Sequence, residues 1–239
     1  MSVARSLLYA AAHVLHPRML WLMLWPMLVA LGVWGSVALV MWGTLAVRLA
    51  EWLRLALDHA LAWSHVDFGS AALVAANVLL FIAFVPLVYL TALFLLSLFG
   101  MQQMVDYVAQ RAYPQLERRR GGGIAGSGWN SLVAFVGMLV FGVLSVPFWL
   151  FPPLWPIIPL LILAWVNQRL LRYDALAEHA DAGEMARIFR TRRGALYVLG
   201  LLLALVAYVP LLGFLAPVLF GLAFIHYLLG ALAAERRAA

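Results

Sequence analysis

Long stretches without a charge alternate along this chain with short segments that carry arginine. Residues 19–47, 68–105, 121–168 and 194–234 contain no Asp, Glu, Lys or Arg. One membrane helix takes roughly 20 apolar residues, so each run can span a bilayer. The last, at 41 residues, is long enough for two passes. The first run predicts a long transmembrane helix over 19–47, tilted or bent at Pro26. The second predicts another over 70–101, with Pro86 near its centre.

The third and fourth runs cannot be single helices. Pro147, Pro152, Pro153, Pro156 and Pro159 fall within thirteen residues, and a helix interior does not accept such a series. Pro210, Gly213 and Pro217 interrupt the fourth run in the same way. Both runs are bracketed by arginine: Arg118 to Arg120 and Arg169, Arg172 around one, Arg190, Arg192, Arg193 and Arg236, Arg237 around the other. Basic flanks prefer the cytoplasmic face, so residues 129–168 and 194–234 read as hairpins that enter and return. Two full crossings and a turn need slightly over about 40 residues, which leaves full and partial penetration both open. Proline-broken backbone at depth must be buried or line a wet cavity. Paired segments of this kind, with Val146-Pro147 and Val209-Pro210 as weak echoes, point to transporter repeats. Pro147, Pro153, Pro210, Gly213 and Pro217 are therefore candidate pore-lining positions.

The polar segments have helical spacing of their own. Leu7, Leu8, Ala11, Val14 and Leu15 predict an amphipathic helix over 1–18, ending at Pro17. Leu49, Trp52, Leu53, Leu57 and Leu61 predict a second one after Arg48. Residues 169–193 form an arginine-rich helical connector along the membrane surface, broken near Gly183. The fold class is thus an all-α polytopic membrane protein: two long transmembrane helices, two proline-broken helix hairpins and amphipathic surface helices, in a single membrane domain over 1–239.

Composition agrees. Hydrophobic residues make up 66% and charged residues 11%, against about 45–50% and about 25% in soluble domains. The net charge of +6 comes from sixteen arginines with no lysine. These lie beside hydrophobic runs, so lipid headgroups and topology account for them and nucleic acid does not. With the N-terminus, the 106–120 loop, the connector and the C-terminus in the cytoplasm, that side holds fourteen arginines and the other only Arg48 and Arg54. The absence of cysteine excludes disulfides and thiolate chemistry. The first apolar run is too long for a cleaved signal core and is expected to remain as an anchor.

Candidate chemistry is sparse. The charge-free runs hold no carboxylate, which argues against proton coupling through an acidic relay. His226 reads as a neutral histidine satisfied by a carbonyl or headgroup, and Asn77, Asn130 and Asn167 as helix-joining amides. His59 and His65 are too far apart in sequence for a helical metal pair. Glu178-His179 with Asp174, Asp181 and Glu184 reads as a solvated, salt-bridged face. The GGGIAGSG stretch at 121–128 reads as a linker, since it lacks the ending of a phosphate loop. No catalytic motif, metal site or cofactor site is evident, so the chain is not expected to be an enzyme. His16-Pro17-Arg18-Met19 is the exception. Free N–H groups at a helix start beside a guanidinium favour an oxyanion, which makes these four residues the candidate substrate-binding site.

MARIFRTRR, YVPLLGFLAPV, HPRMLWLMLWPMLVA and LLRYDALAEH, in that order of strength, resemble the CysZ sulfate permease family within the etoposide-induced-protein domain superfamily. The resemblance implies two long membrane helices, two hairpins that penetrate part-way, homo-oligomers and sulfate uptake for cysteine synthesis. The family's anion site, a glycine–apolar–arginine turn before the first long helix, aligns with His16-Pro17-Arg18-Met19. There Arg18 matches, while no glycine is present. The alanine-proline-phenylalanine step expected after the second helix is also missing. The function implied is an inner-membrane permease or channel for a small oxyanion such as sulfate, in a bacterial inner membrane with both termini cytoplasmic. The alternative is a non-transporting protein that organises lipids or partners through its arginine-rich cytoplasmic surface.

Overall fold

The computed structural model describes residues 2–60 and 69–238. Among them every regular element is helical: α1 (Val3–Val14), α2 (Pro17–Ala60), α3 (Gly69–Ala112), α4 (Ile124–Ser145), α5 (Ile157–Leu176), α6 (Ala182–Thr191), α7 (Arg193–Ala207) and α8 (Pro210–Ala238), with two 3-10 turns between α4 and α5. Five of the described helices are long and apolar enough to cross a membrane: α2, α3, α4, α5 and α8. The fifteen-residue α7 rises only about 22 Å, short of the roughly 30 Å hydrocarbon core.

Two boundaries differ from the sequence reading. The helix expected to end at residue 47 continues without a break to Ala60, and the one expected over 70–101 continues to Ala112. Arg48, Glu51 and Arg54 are exposed, so no buried charge forces the chain to stop there. The amphipathic segment is an extension of α2 instead of a separate helix. At 44 residues each, these helices rise about 66 Å, so each protrudes well beyond a bilayer core.

Packing divides the chain into two compact units, Leu22–Leu98 and Met1–Trp21 with Phe99–Ala239. In the first unit α2 and α3 run antiparallel. Trp34 Nε1 donates to Thr91 Oγ1 at 2.9 Å and Trp42 Nε1 donates to Asn77 Oδ1 at 2.9 Å. Further along, Ala50 packs on Ala72 and Ala76 beside Leu49 and Leu53. The tryptophan N–H groups are satisfied across the pair, as apolar surroundings require.

The second unit is built around α8, whose residues from Leu222 to Ala233 are almost wholly buried. The helix is apolar all round, so neighbours can cover every face. Ser6, Ala10 and Val14, four residues apart, form the buried face of α1, which packs on α8. Leu196, Leu199, Gly200, Leu203 and Ala204 form that of α7. Small residues set the helix separations. A Cβ on Gly200 would lie 2.7 Å from Ala164 O, and one on Gly137 would lie 2.2 Å from the Trp165 ring.

The hairpins take their turns from proline in two ways. In the first, Pro147, Pro152 and Pro153 sit in the 3-10 turns at the tip, Pro156 caps α5 and Pro159 lies in its first turn. In the second, the turn is only Tyr208-Val209. Pro210 opens α8, while Gly213 and Pro217 lie inside it. Phe148, Trp149, Phe151 and Trp155 at the first tip are exposed, a surface unfit for water and suited to lipid.

Candidate functional site

Ser2 caps α1 by accepting from Arg5 N at 3.3 Å. After Leu15 the chain turns at His16, and Pro17 opens α2, a position where its missing N–H costs nothing. The turn uses up the donors that the sequence left for an anion. Arg18 N–H donates to His16 Nδ1 at 3.2 Å, and Met19 and Leu20 N–H both donate to His16 O at 2.8 and 3.0 Å. Met19 is buried and Arg18 is exposed. The free N–H groups expected at this helix start are thus occupied, because His16 acts as the cap. What the turn presents is the Arg18 guanidinium.

Behind the turn lies a cluster that sequence reading missed. The His16 ring sits 5.3 Å from that of Tyr107, and the Arg111 guanidinium lies 5.9 Å from the centre of the same phenol ring. His13 approaches Tyr107 edge-on at 6.1 Å and stacks on Tyr9 at 4.0 Å. Tyr9 in turn stacks on His226 at 4.2 Å. His226 shares a hydrogen bond with Ser6 Oγ at 3.1 Å, and its carbonyl accepts from Tyr113 Oη at 3.1 Å. So His226 is satisfied by a serine of α1, where a carbonyl or headgroup was expected. The hydroxyls of Tyr9 and Tyr107 are buried and have no partner. Burial pushes the Tyr9 and Tyr113 phenols up to about 12, so both remain neutral donors at physiological pH. Two unsatisfied hydroxyls among His13, His16 and Arg111 are costly to keep. A ligand with acceptor oxygens would satisfy them. Sequence gave no signal for this beyond the helical spacing of Tyr9, His13 and His16.

The candidate pore positions are dispersed. Pro147 and Pro153 are exposed at the first tip, and Gly213 and Pro217 are half-buried in α8. A cavity of about 620 Å³ opens beside that tip, bordered by Met138, Val146, Trp149, Ile162 and Tyr208, but not by Pro147, Pro153, Gly213 or Pro217. Its polar atoms are committed: Ser145 Oγ donates to Gly142 O and accepts from Trp149 Nε1, and Tyr208 Oη donates to Pro156 O. An oxyanion finds no donor there.

The connector corrects two readings. Glu184 and His179 are buried, at 3% and 1% exposure, so this face is covered and not solvated. Arg236 of α8 covers it, reaching Glu184 through Nε and Nη2 and donating also to His179 O and Glu117 O. Arg119 adds a second ion pair to Glu184 at 3.1 Å. The hydrogen bonds from Arg236 hold the Glu184 carboxyl down at about 2. Burial lowers His179 from the ordinary histidine range, so it is neutral. The glycine run at 121–123 is no loose linker either. Arg120, Gly121 and Gly122 N–H donate to the carbonyls of Glu178, Ala180 and Ala177, closing the end of α5. A Cβ on Gly121 would fall 2.4 Å from Asp181 Cα, so only glycine allows that approach. Of the other sequence candidates, His59 Nδ1 bonds Leu55 O at 2.8 Å, and His65 lies outside the described residues. Asn130 Nδ2 joins α4 to Arg169 O at 2.7 Å.

Comparison with curated proteins and with solved structures gives no match. The family model described as sulfate transporter CysZ/etoposide-induced protein 2.4 matches residues 6–217. That range takes in α1, the His16–Met19 turn, the long helices, the first hairpin, the connector and the start of α8. This membrane protein, with five potential spanning helices among its described residues, therefore belongs to the sulfate transporter CysZ/etoposide-induced protein 2.4 family.

Proposed function

We propose that this membrane transporter is a passive permease or channel for a small oxyanion, with sulfate the leading candidate. The observation that carries the reading is the Arg18 turn and the cluster beside it. Exposed Arg18 stands two residues after His16, whose ring lies 5.3 Å from that of Tyr107, and the buried Tyr9 and Tyr107 hydroxyls lack partners. Arg18 and Arg111 attract the anion electrostatically, and the Tyr9 and Tyr107 hydroxyls together with His16 satisfy its oxygens. The helix-start N–H groups do not take part while His16 caps them. Transfer then follows the gradient or the potential, because the charge-free runs offer no carboxylate to couple it to protons. The hairpins bearing Pro147, Pro153, Pro210, Gly213 and Pro217 line the passage, and neighbouring copies in a homo-oligomer complete its walls. The protein sits in a bacterial inner membrane with both termini in the cytoplasm, as the arginine distribution favours.

Uptake of radiolabelled sulfate into liposomes containing the purified protein tests this. Uptake above that of empty liposomes, reduced in Arg18→Ala, is expected. Uptake equal to empty liposomes for both proteins would leave the membrane-organising alternative in its place.

A further inference from the structure

Three of the buried polar atoms that lack a partner are side-chain N–H donors within six residues of α5: Asn167 Nδ2, Arg169 Nε and Arg172 Nε. Orphaned donors at that density need an explanation. The surrounding charge sharpens it. Arg118, Arg119, Arg187 and Arg236 all reach a carboxylate. Among the described residues no carboxylate lies within ion-pair distance of Arg169, Arg172 or Arg193. Arg169 and Arg193 are close enough to Arg172 to repel it, so three like charges gather without a counter-ion.

The groups are also fixed in place. Arg172 Nη1 donates to the buried Gln168 Oε1 at 3.3 Å, and its guanidinium stacks 4.8 Å from the Phe189 ring of α6. Asn130 Nδ2 fixes the backbone of Arg169 through its carbonyl. Arg193 opens α7, and Arg192, the residue before it, makes no side-chain cap. The first N–H groups of a fifteen-residue helix are thus left without a side-chain acceptor beside the same arginines.

We propose that Arg169, Arg172 and Arg193, with the start of α7, form a binding site for a tetrahedral oxyanion group, separate from the Arg18 turn. Phosphate or sulfate supplies the acceptors these donors lack and the charge the three guanidiniums share. Two sources carry that chemistry: the phosphodiester of an anionic lipid headgroup and a free inorganic anion.

Melting of the full-length protein in detergent separates them. One arm adds sodium phosphate against sodium chloride at equal ionic strength. The other adds phosphatidylglycerol against phosphatidylcholine. The wild type is expected to gain several degrees in Tm in at least one arm, a gain limited to phosphatidylglycerol marking the headgroup and one limited to phosphate marking the free anion. Arg169→Gln/Arg172→Gln is expected to lose the gain, and Arg48→Gln, at an exposed arginine outside both sites, to keep it. Should the double variant fail to fold, the exposed Arg193→Gln replaces it, with apparent affinity falling roughly tenfold. No gain in either arm for wild type, a gain unchanged in the Arg169, Arg172 and Arg193 variants, or a gain abolished by Arg48→Gln alone would overturn the site.

Discussion

Arg236 Nε lies 2.8 Å from Glu184 Oε1 and its Nη2 lies 2.9 Å from Oε2, a two-pronged pair joining the end of α8 to the first turn of α6. Glu184 simultaneously closes a capping box with Asp181, accepting from Asp181 N at 2.9 Å while Glu184 N donates to Asp181 Oδ1 at 2.8 Å. Breaking one side of a buried pair costs about 3–5 kcal/mol, so Arg236→Ala should unfold at markedly lower temperature. The pH dependence has a definite sign. The folded Glu184 carboxyl lies near 2, below its ordinary 4.5, so its contribution is complete above about pH 5 and is lost as pH falls toward 2. That contribution amounts to about 3 kcal/mol. Thermal melts in detergent from pH 7 to pH 3 should show it, and Glu184→Gln should flatten that part of the profile. An unchanged profile would contradict the pairing.

Neighbouring glycines should respond very differently to alanine. At Gly121 the added carbon would meet Asp181 Cα and Ala180 O at 2.4 and 2.5 Å, whereas at Gly123 it would meet nothing within 4 Å. Gly121→Ala forces the backbone apart and is expected to cost about 1–3 kcal/mol. Gly123→Ala should stay within about 0.5 kcal/mol of the wild type. Paired melting curves of the two variants check this directly, with equal effects as the contrary result.

The tyrosines packed around His226 and His16 separate stability from transport. Tyr113 donates to His226 O, so Tyr113→Phe should cost about 1 kcal/mol. Tyr9 and Tyr107 have buried hydroxyls with no partner. Tyr9→Phe and Tyr107→Phe should therefore melt no lower than the wild type, yet transport sulfate more slowly if those hydroxyls serve the anion. Variants that melt normally and transport at the wild-type rate would remove them from the site.

Topology can be read with single cysteines, since the chain has none of its own. Ala182 and Ala238 are both exposed, and Arg187 bonds Glu235 at 2.7 Å, so the connector and the C-terminus lie at one end of their unit. Ala182→Cys and Ala238→Cys should label from the cytoplasmic side, and Glu51→Cys from the opposite one. Labelling of positions 182 and 238 from different sides would contradict the hairpin reading.

Much of the fold was legible because hydrocarbon imposes simple rules on a chain. Residues 19–47 and 70–101 had to be helical, and clustered prolines could only mark turns. What the rules do not fix is where a helix stops once it leaves the bilayer, so α2 carried its exposed Arg48, Glu51 and Arg54 onward to Ala60. Glu184 looked solvated because its partner Arg236 is far away in sequence, and local charge patterning sees only neighbours. The 121–123 glycines looked flexible for the same reason: the backbone at Asp181 that demands them arrives from another helix. At the candidate site, Arg18 was readable from its place before a long apolar run. His16 as a cap, and Tyr107 brought back beside it from the end of α3, were not.

Flux of radiolabelled sulfate through the purified protein in liposomes, with the potential clamped by potassium and valinomycin, tests the central claim most directly. With equal pH on both sides, an interior-positive potential should draw sulfate in faster than into empty liposomes, and Arg18→Ala should slow it. Sulfate entry no faster than into empty liposomes, or entry that requires a proton gradient, would contradict a passive oxyanion permease.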